Sequence, residues 1–187
     1  MKKTVEEAMT GHRKMVEAVK GLQGKIVEVA EIIARSLRQG GKVLVMGNGG
    51  SAADAQHLAA EFVGRFLRER KALPAISLST DTSILTALGN DYGYDAVFLR
   101  QVEALAVSGD VVIGISTSGN SENVIRALEK ANKIGCSTIG LAGGEGGAIA
   151  GAVDLSLVVP VPDTPRIQEG HILMIHILCD LVEQEFV

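Results

Sequence analysis

VLVMGNGGSAADAQHLAAEFVGRF, residues 43–66, decides how the fold reads. It opens with a continuous apolar run, 43–46, too short for a helix and without polar alternation. Such a run suits a strand covered on both faces, as in a parallel sheet. Gly47 ends the run and a glycine-rich loop follows. Over 52–66 the apolar residues return at helical spacing. Strand, tight loop and helix in succession are the building unit of α/β domains.

The same signature recurs downstream. Short apolar runs at 75–78, 111–115, 138–141 and 155–159 read as strands, and helical patterns over 84–88, 94–107 and 122–134 separate most of them. This alternation predicts a three-layer α/β fold around a parallel sheet. Upstream, 4–38 reads as helix, bent or broken near Gly21 and Gly24 and ended by Gly40-Gly41. This arm packs either on its own domain or on a neighbouring subunit. The last helix, 167–186, is apolar on nearly every side, which predicts burial. At the end of a small domain that burial is expected between subunits.

Composition bounds the rest. The 187 residues suit one domain, and 47% hydrophobic with 21% charged residues is a globular balance. Mean hydropathy is +0.25, high enough to send apolar surface into subunit contacts. A net charge of −4 argues against a protein that binds nucleic acid by neutralising phosphates. Cys136 and Cys179 form no CxxC pair or metal spacing and read as reduced, buried thiols. Lys2 and Lys3 are followed by Glu6 and Glu7, not by an apolar core, so no signal peptide is expected. No stretch of ~18 apolar residues is present to span a membrane. A cytoplasmic location is expected by elimination.

Two loops stand out. Gly47-Asn48-Gly49-Gly50-Ser51 leads from strand into helix, with Ser51 placed as an N-cap. Glycines let a ligand approach the backbone, and a helix N-terminus favours anions. A plain tight turn is the competing reading, because no Walker A or GxGxxG pattern is present. The second loop, Ser116-Thr117-Ser118-Gly119-Asn120-Ser121, sits at the carboxyl end of a strand, the edge where open α/β sheets bind ligands. A capping turn needs one hydroxyl. Four suit a phosphate monoester. Residues 143–147, by contrast, read as a flexible surface turn.

Among titratable groups, His57 and Glu61 share a helix face at i, i+4. Gln168 and His176 lie eight apart on the last helix, again on neighbouring faces. Each pair alone reads equally well as structure. Together they make two imidazoles, a carboxylate and an amide oxygen, a set that suits a divalent ion such as zinc. Asn90-Asp91 reads either as a turn or as a group able to contact sugar hydroxyls. Arg65 faces the same cleft or solvent.

Taken in order, GNGGSAADAQHLAAEFVGRF (47–66), LSTDTSILTALGNDYGY (78–94), GDVVIGISTSGNSENVIRAL (109–128) and TPRIQEGHILMIHILCDLVE (164–183) resemble the phosphoheptose isomerases of the sugar-isomerase (SIS) domain superfamily. The resemblance runs over nearly the whole chain. It implies a single flavodoxin-like SIS domain over 1–187, a three-layer α-β-α sandwich with a five-stranded parallel sheet. Residues 1–38 would form a helical arm engaged in oligomer contacts. It implies a homotetramer with interfacial active sites and isomerisation of sedoheptulose 7-phosphate to D-glycero-D-manno-heptose 7-phosphate. That reaction feeds ADP-heptose synthesis for lipopolysaccharide or other surface glycans.

By the same resemblance, Asn48, Gly49 and Gly50, with Ser51 beside them, form the first substrate loop, and Asn90 and Asp91 contact sugar. Ser116, Thr117, Ser118 and Ser121 hold the phosphate. His57, Glu61, Gln168 and His176 ligate one zinc per subunit. Glu61 and Gln168 also touch substrate, and Glu61 and His176 form the acid–base pair. Thr164-Pro165 departs from the pattern, since some members place an Asp beside Arg166. The alternative is a non-catalytic SIS module, a sugar-phosphate sensor or a replication-initiator-binding protein. In the latter the positions of Glu61 and His176 are replaced, so their presence here favours the enzyme.

Overall fold

The computed structural model describes residues 1–187. Five strands form one parallel sheet: β1 (Val43–Gly47), β2 (Ala75–Ser77), β3 (Val111–Ser116), β4 (Ser137–Gly143) and β5 (Leu155–Val159), in the spatial order β2-β1-β3-β4-β5. This is the flavodoxin-like order. All five apolar runs become strands. β1 and β3 are buried throughout, as continuous apolar runs require, whereas edge strand β2 leaves Ile76 exposed. Val43, Val45, Ile113, Ile139 and Leu157 face one helical layer, and Leu44, Met46 and Val112 face the other. Gly114 and Gly140 let helices approach the second face closely. A Cβ at 114 would stand 2.6 Å from Leu128 Cδ1 and Val124 Cγ1.

The arm is two helices, α1 (Lys2–Val19) and α2 (Gln23–Arg38), joined by a single 3₁₀ turn, Lys20–Leu22, at the expected break. Met15, Val19, Ile26, Val29 and Ile33 join the main core, so the arm packs on its own domain. Its first ten residues are exposed. Then follow α3 (Gly50–Val63), α4 (Thr82–Tyr92), α5 (Val97–Leu105), α6 (Glu122–Ile134), the one-turn α7 (Ile149–Ala152) and α8 (Thr164–Gln184). The single helix expected over 94–107 is a 3₁₀ turn, Tyr94–Ala96, running into α5. The short α7 leaves too little sequence for a periodic signal.

Helix α8 is covered in part by its own domain. It lies in the main core of its own chain with α1, α2, α3 and the sheet, and Met174, Ile175, Leu178 and Val182 are fully buried there. Ile172, Leu173, Ile177 and Leu181 stay half-buried. Residues 143–147 are likewise no free surface turn. Gly146 is buried, and a Cβ on Gly119 (φ 67°) would collide with the Gly146 carbonyl. This glycine loop backs the serine-rich one. Both cysteines are free and buried, as expected. No helix is long and apolar enough to cross a membrane.

Candidate active site

The chain leaves β1 toward β2 on one side, while β3 lies on the other. The loops after β1 and β3 therefore flank the topological switch point, where doubly wound sheets bind ligands. Both loops singled out in the sequence meet there. In the first, Gly49 at φ 55° is itself the N-cap of α3, and Ser51 is buried as the second residue of the helix. The Ser51 cap expected from sequence is thus displaced by two residues. Gly47 packs so tightly on the turn that a Cβ there would stand 2.7 Å from Ser51 O. Gly50 lies under Gln168, whose amide a Cβ at residue 50 would strike.

The second loop keeps its hydroxyls off the helix cap. Ser121 is the N-cap of α6 but makes no side-chain cap bond; its Oγ pairs with Ser116 Oγ at 2.8 Å. Ser118 Oγ lies 3.4 Å from Ser116 Oγ and accepts from Asn120 N–H. Thr117 is half-buried beside them. Asn120 accepts from Ala148 N–H at 3.0 Å and so ties the loop to the glycine turn behind it. Between these loops and the start of α8 is a cavity of about 430 Å³, bordered by Thr117, Ser118, Asn120, Thr164 and Ile167, with Glu145 exposed at its rim. Hydroxyls, a helix N-terminus and no fixed cation are a fit for a phosphate monoester.

The two loops are joined by a residue that the sequence reading passed over. Asn123, buried in the first turn of α6, donates to Asn48 Oδ1 at 3.0 Å and accepts from Asn48 Nδ2 at 2.9 Å. Tyr94 Oη also donates to Asn48 Oδ1. The Asn48 side chain is thereby largely consumed. The SxxxxSEN spacing gave no signal, because an asparagine in a helical first turn reads as generic.

Further along α3, His57 is a hub. Its Nε2 is 3.0 Å from His176 Nε2 and 3.2 Å from Glu61 Oε1. Phe66 stacks on the His176 ring with centroids 5.5 Å apart. Three of the four expected metal ligands are thus brought together. Gln168 stands apart at the first loop, two turns up α8 from His176. Asn90 and Asp91 are exposed at the end of α4 and bond to each other. Arg65 pairs with Glu69 and faces solvent. Asp54, one turn before His57, has a buried, unpartnered Oδ2, and burial, opposed by the His57 charge, pushes its carboxyl up to about 6.

The His57, Glu61 and His176 donors fit zinc in type. The His57–His176 and His57–Glu61 separations, 3.0 and 3.2 Å, lie just below the about 3.3 Å edge of a tetrahedral site with ~2.0–2.1 Å bonds. In this arrangement no group of three His, Cys, Asp or Glu side chains is placed to hold a metal ion.

The comparisons with known proteins agree with this architecture. The SIS domain model matches residues 9–143. The phosphoheptose isomerase of Geobacter sulfurreducens is 66% identical over 173 residues, 92% of each chain. Among solved structures, the phosphoheptose isomerase of Neisseria gonorrhoeae is 48% identical with a TM-score of 0.91 over 98% of each chain. That of Francisella tularensis is 38% identical with a TM-score of 0.94 over 97% of each. On sequence and fold together, the chain belongs to the phosphoheptose isomerase family of SIS-domain proteins.

Proposed function

We propose that the protein is an aldose–ketose isomerase that converts sedoheptulose 7-phosphate to D-glycero-D-manno-heptose 7-phosphate. The observation that carries this reading is the meeting of one carboxylate, Glu61, and two imidazoles, His57 and His176, between α3 and α8, in a chain whose switch point also carries a hydroxyl-lined loop. A non-catalytic sugar-phosphate binder needs the loop but has no use for the other three groups.

The chemistry assigns a role to each part. Ser116, Thr117, Ser118 and Ser121 hold the phosphate, and Asn48, Gly49, Gly50, Ser51, Asn90, Asp91 and Gln168 hold the sugar. Anchoring one end of a long substrate fixes the other, and such positioning supplies much of a barrier reduction. Glu61 removes a proton from C1 of the ketose, giving a cis-enediol, and returns a proton to C2 on the same face. His176 carries the hydroxyl proton from O1 to O2, leaving the aldehyde at C1. His57, Glu61 and His176 would hold one zinc, with Gln168 as the expected fourth ligand. The ion would supply Lewis-acid polarisation of the carbonyl.

The protein acts as a homotetramer in the cytoplasm, and its product enters ADP-heptose synthesis for lipopolysaccharide or other surface glycans. The half-buried Ile172, Leu173, Ile177 and Leu181, with Val63 and Leu67 exposed, support subunit contacts near the site. The test is turnover of sedoheptulose 7-phosphate by purified protein, after chelation and again with zinc restored. Metal-dependent aldose formation is expected. No turnover in either condition, from folded protein, refutes the enzyme and leaves the binding module.

A further inference from the structure

Eleven residues without regular structure, 64–74, lead from α3 to β2, and their path is set by two buried charges. Glu183, with no exposed surface, reaches from α8 and accepts from Phe66 N–H at 2.9 Å with Oε1, and from Leu67 N–H at 2.7 Å and Arg68 N–H at 2.8 Å with Oε2. Arg70, equally buried, lies 3.4 Å from the same carboxylate through Nε. Its other nitrogens turn back on the end of α3. Nη2 donates to Glu61 O and Nη1 to Phe62 O, both at 2.8 Å, and Nη1 also to Gly64 O. Glu61 O and Phe62 O are terminal carbonyls that the helix itself leaves unpaired, and Phe62 O also accepts from Leu73 N–H at 3.0 Å.

The consequence reaches the reacting groups. The N–H that Glu183 holds belongs to Phe66, whose ring lies on His176. The carbonyl that Arg70 holds belongs to Glu61. We propose that Arg70 and Glu183 are a positioning pair, holding the helix that carries His57 and Glu61 in register with the helix that carries His176. A buried ion pair adds little net stability over apolar residues of equal volume, so its distinctive use is in fixing register. Burial alone would raise the Glu183 carboxyl, but the three backbone donors and Arg70 hold it below the ordinary glutamate range. The carboxylate therefore stays charged at neutral pH. The catalytic consequence rests on the isomerase reading, whereas the register itself does not.

The test compares wild type with Glu183→Gln, Arg70→Met and Arg70→Lys in the full chain. Steady-state kinetics on sedoheptulose 7-phosphate are paired with NMR of the His176 ring protons, which report the stacked Phe66. Glu183→Gln keeps volume but loses one acceptor. Arg70→Met removes the charge, and Arg70→Lys keeps charge without the fork. We expect kcat to fall roughly ten- to a hundredfold in the first two, as for displacements of about 1 Å. KM should stay within about twofold, because the serine loop lies elsewhere. Arg70→Lys should recover part of the loss, and the His176 signals should shift in step with kcat. Folded variants with wild-type kcat and unmoved His176 signals, whatever their melting temperature, overturn the proposal. So does a rise in KM alone. If Glu183→Gln does not fold, the two Arg70 variants decide by the same readings. A wild type inactive on this sugar would sink the isomerase reading, and the His176 signals would still decide the register.

Discussion

Asn48 and Asn123 exchange two amide hydrogen bonds, at 2.9 and 3.0 Å, across the switch point of the sheet. One closes β1, the other opens α6, and Tyr94 adds a third bond to the same Asn48 oxygen. The pair welds the glycine loop to the helix that follows the serine loop and leaves the Asn48 side chain largely engaged, so a ligand at the first loop would meet mainly backbone N–H groups.

Asn123→Asp tests this weld through pH. A neutral carboxyl donates and accepts as the amide does, whereas the carboxylate turns an oxygen toward Asn48 Oδ1. Burial raises the folded-state pKa of the new group above the ordinary ~3.9, so the variant's stability is full at low pH and is lost as pH rises through that value. At neutral pH the cost should be about 1–3 kcal/mol, with kcat/KM reduced. Denaturant melts of the variant and wild type at pH 4 and pH 7 read the difference. Equal gaps at both values would show that the reciprocal pair carries no weight.

The reach of the sequence is clear in these two loops. Short, mostly apolar runs made all five strands legible, most sharply β1 and β3, which are buried on both faces. The loops were legible as candidate ligand edges because glycines and clustered hydroxyls at the carboxyl ends of strands are more than a turn needs, and the structure places both at the switch point. Asn123 was not legible, since its partner is seventy-five residues away and nothing local marks it. Glu183 and Arg70 were hidden for the same reason. For α8 hydrophobicity tells that the helix is buried, not by which chain: its own domain covers Met174, Ile175, Leu178 and Val182, and Ile172, Leu173, Ile177 and Leu181 stay half-buried.

Ser118→Ala and Ser121→Ala should each raise KM for the phosphorylated sugar about tenfold, the value of one lost hydrogen bond to a charged group. Ser121 should cost more stability, since its hydroxyl also satisfies the buried Ser116. Binding of the unphosphorylated sugar is the control and should not change. Unaltered affinity for the phosphate ester in both variants would place the cradle elsewhere.

Glu61→Gln keeps the helix face and the size of the side chain but removes the base. Turnover should fall by roughly 10²–10⁴, the usual worth of a positioned general base. KM should hold, and so should the oligomer seen by size-exclusion chromatography. Exchange of the C1 proton of bound substrate with solvent should vanish with turnover. A variant that exchanges at the wild-type rate would remove Glu61 from the proton path.

His171 supplies a test that needs no substrate. It is fully buried on α8, with Nε2–H donating to Ala142 O at 3.0 Å and Nδ1 buried without a partner. Burial holds its pKa below the ordinary 6.5, with the Ala142 carbonyl opposing. The unfolded chain therefore takes up a proton below 6.5 that the folded chain refuses. The stability this group contributes is full above 6.5 and is lost as pH falls from there toward the folded value. One such proton amounts to a slope of about 1.4 kcal/mol per pH unit. Denaturation curves between pH 8 and pH 5 should show that loss in the wild type. His171→Gln should be less stable at pH 8 and flatter toward pH 5, the difference between the two curves isolating this residue from His12, His57 and His176. Parallel curves would mean that His171 titrates alike folded and unfolded.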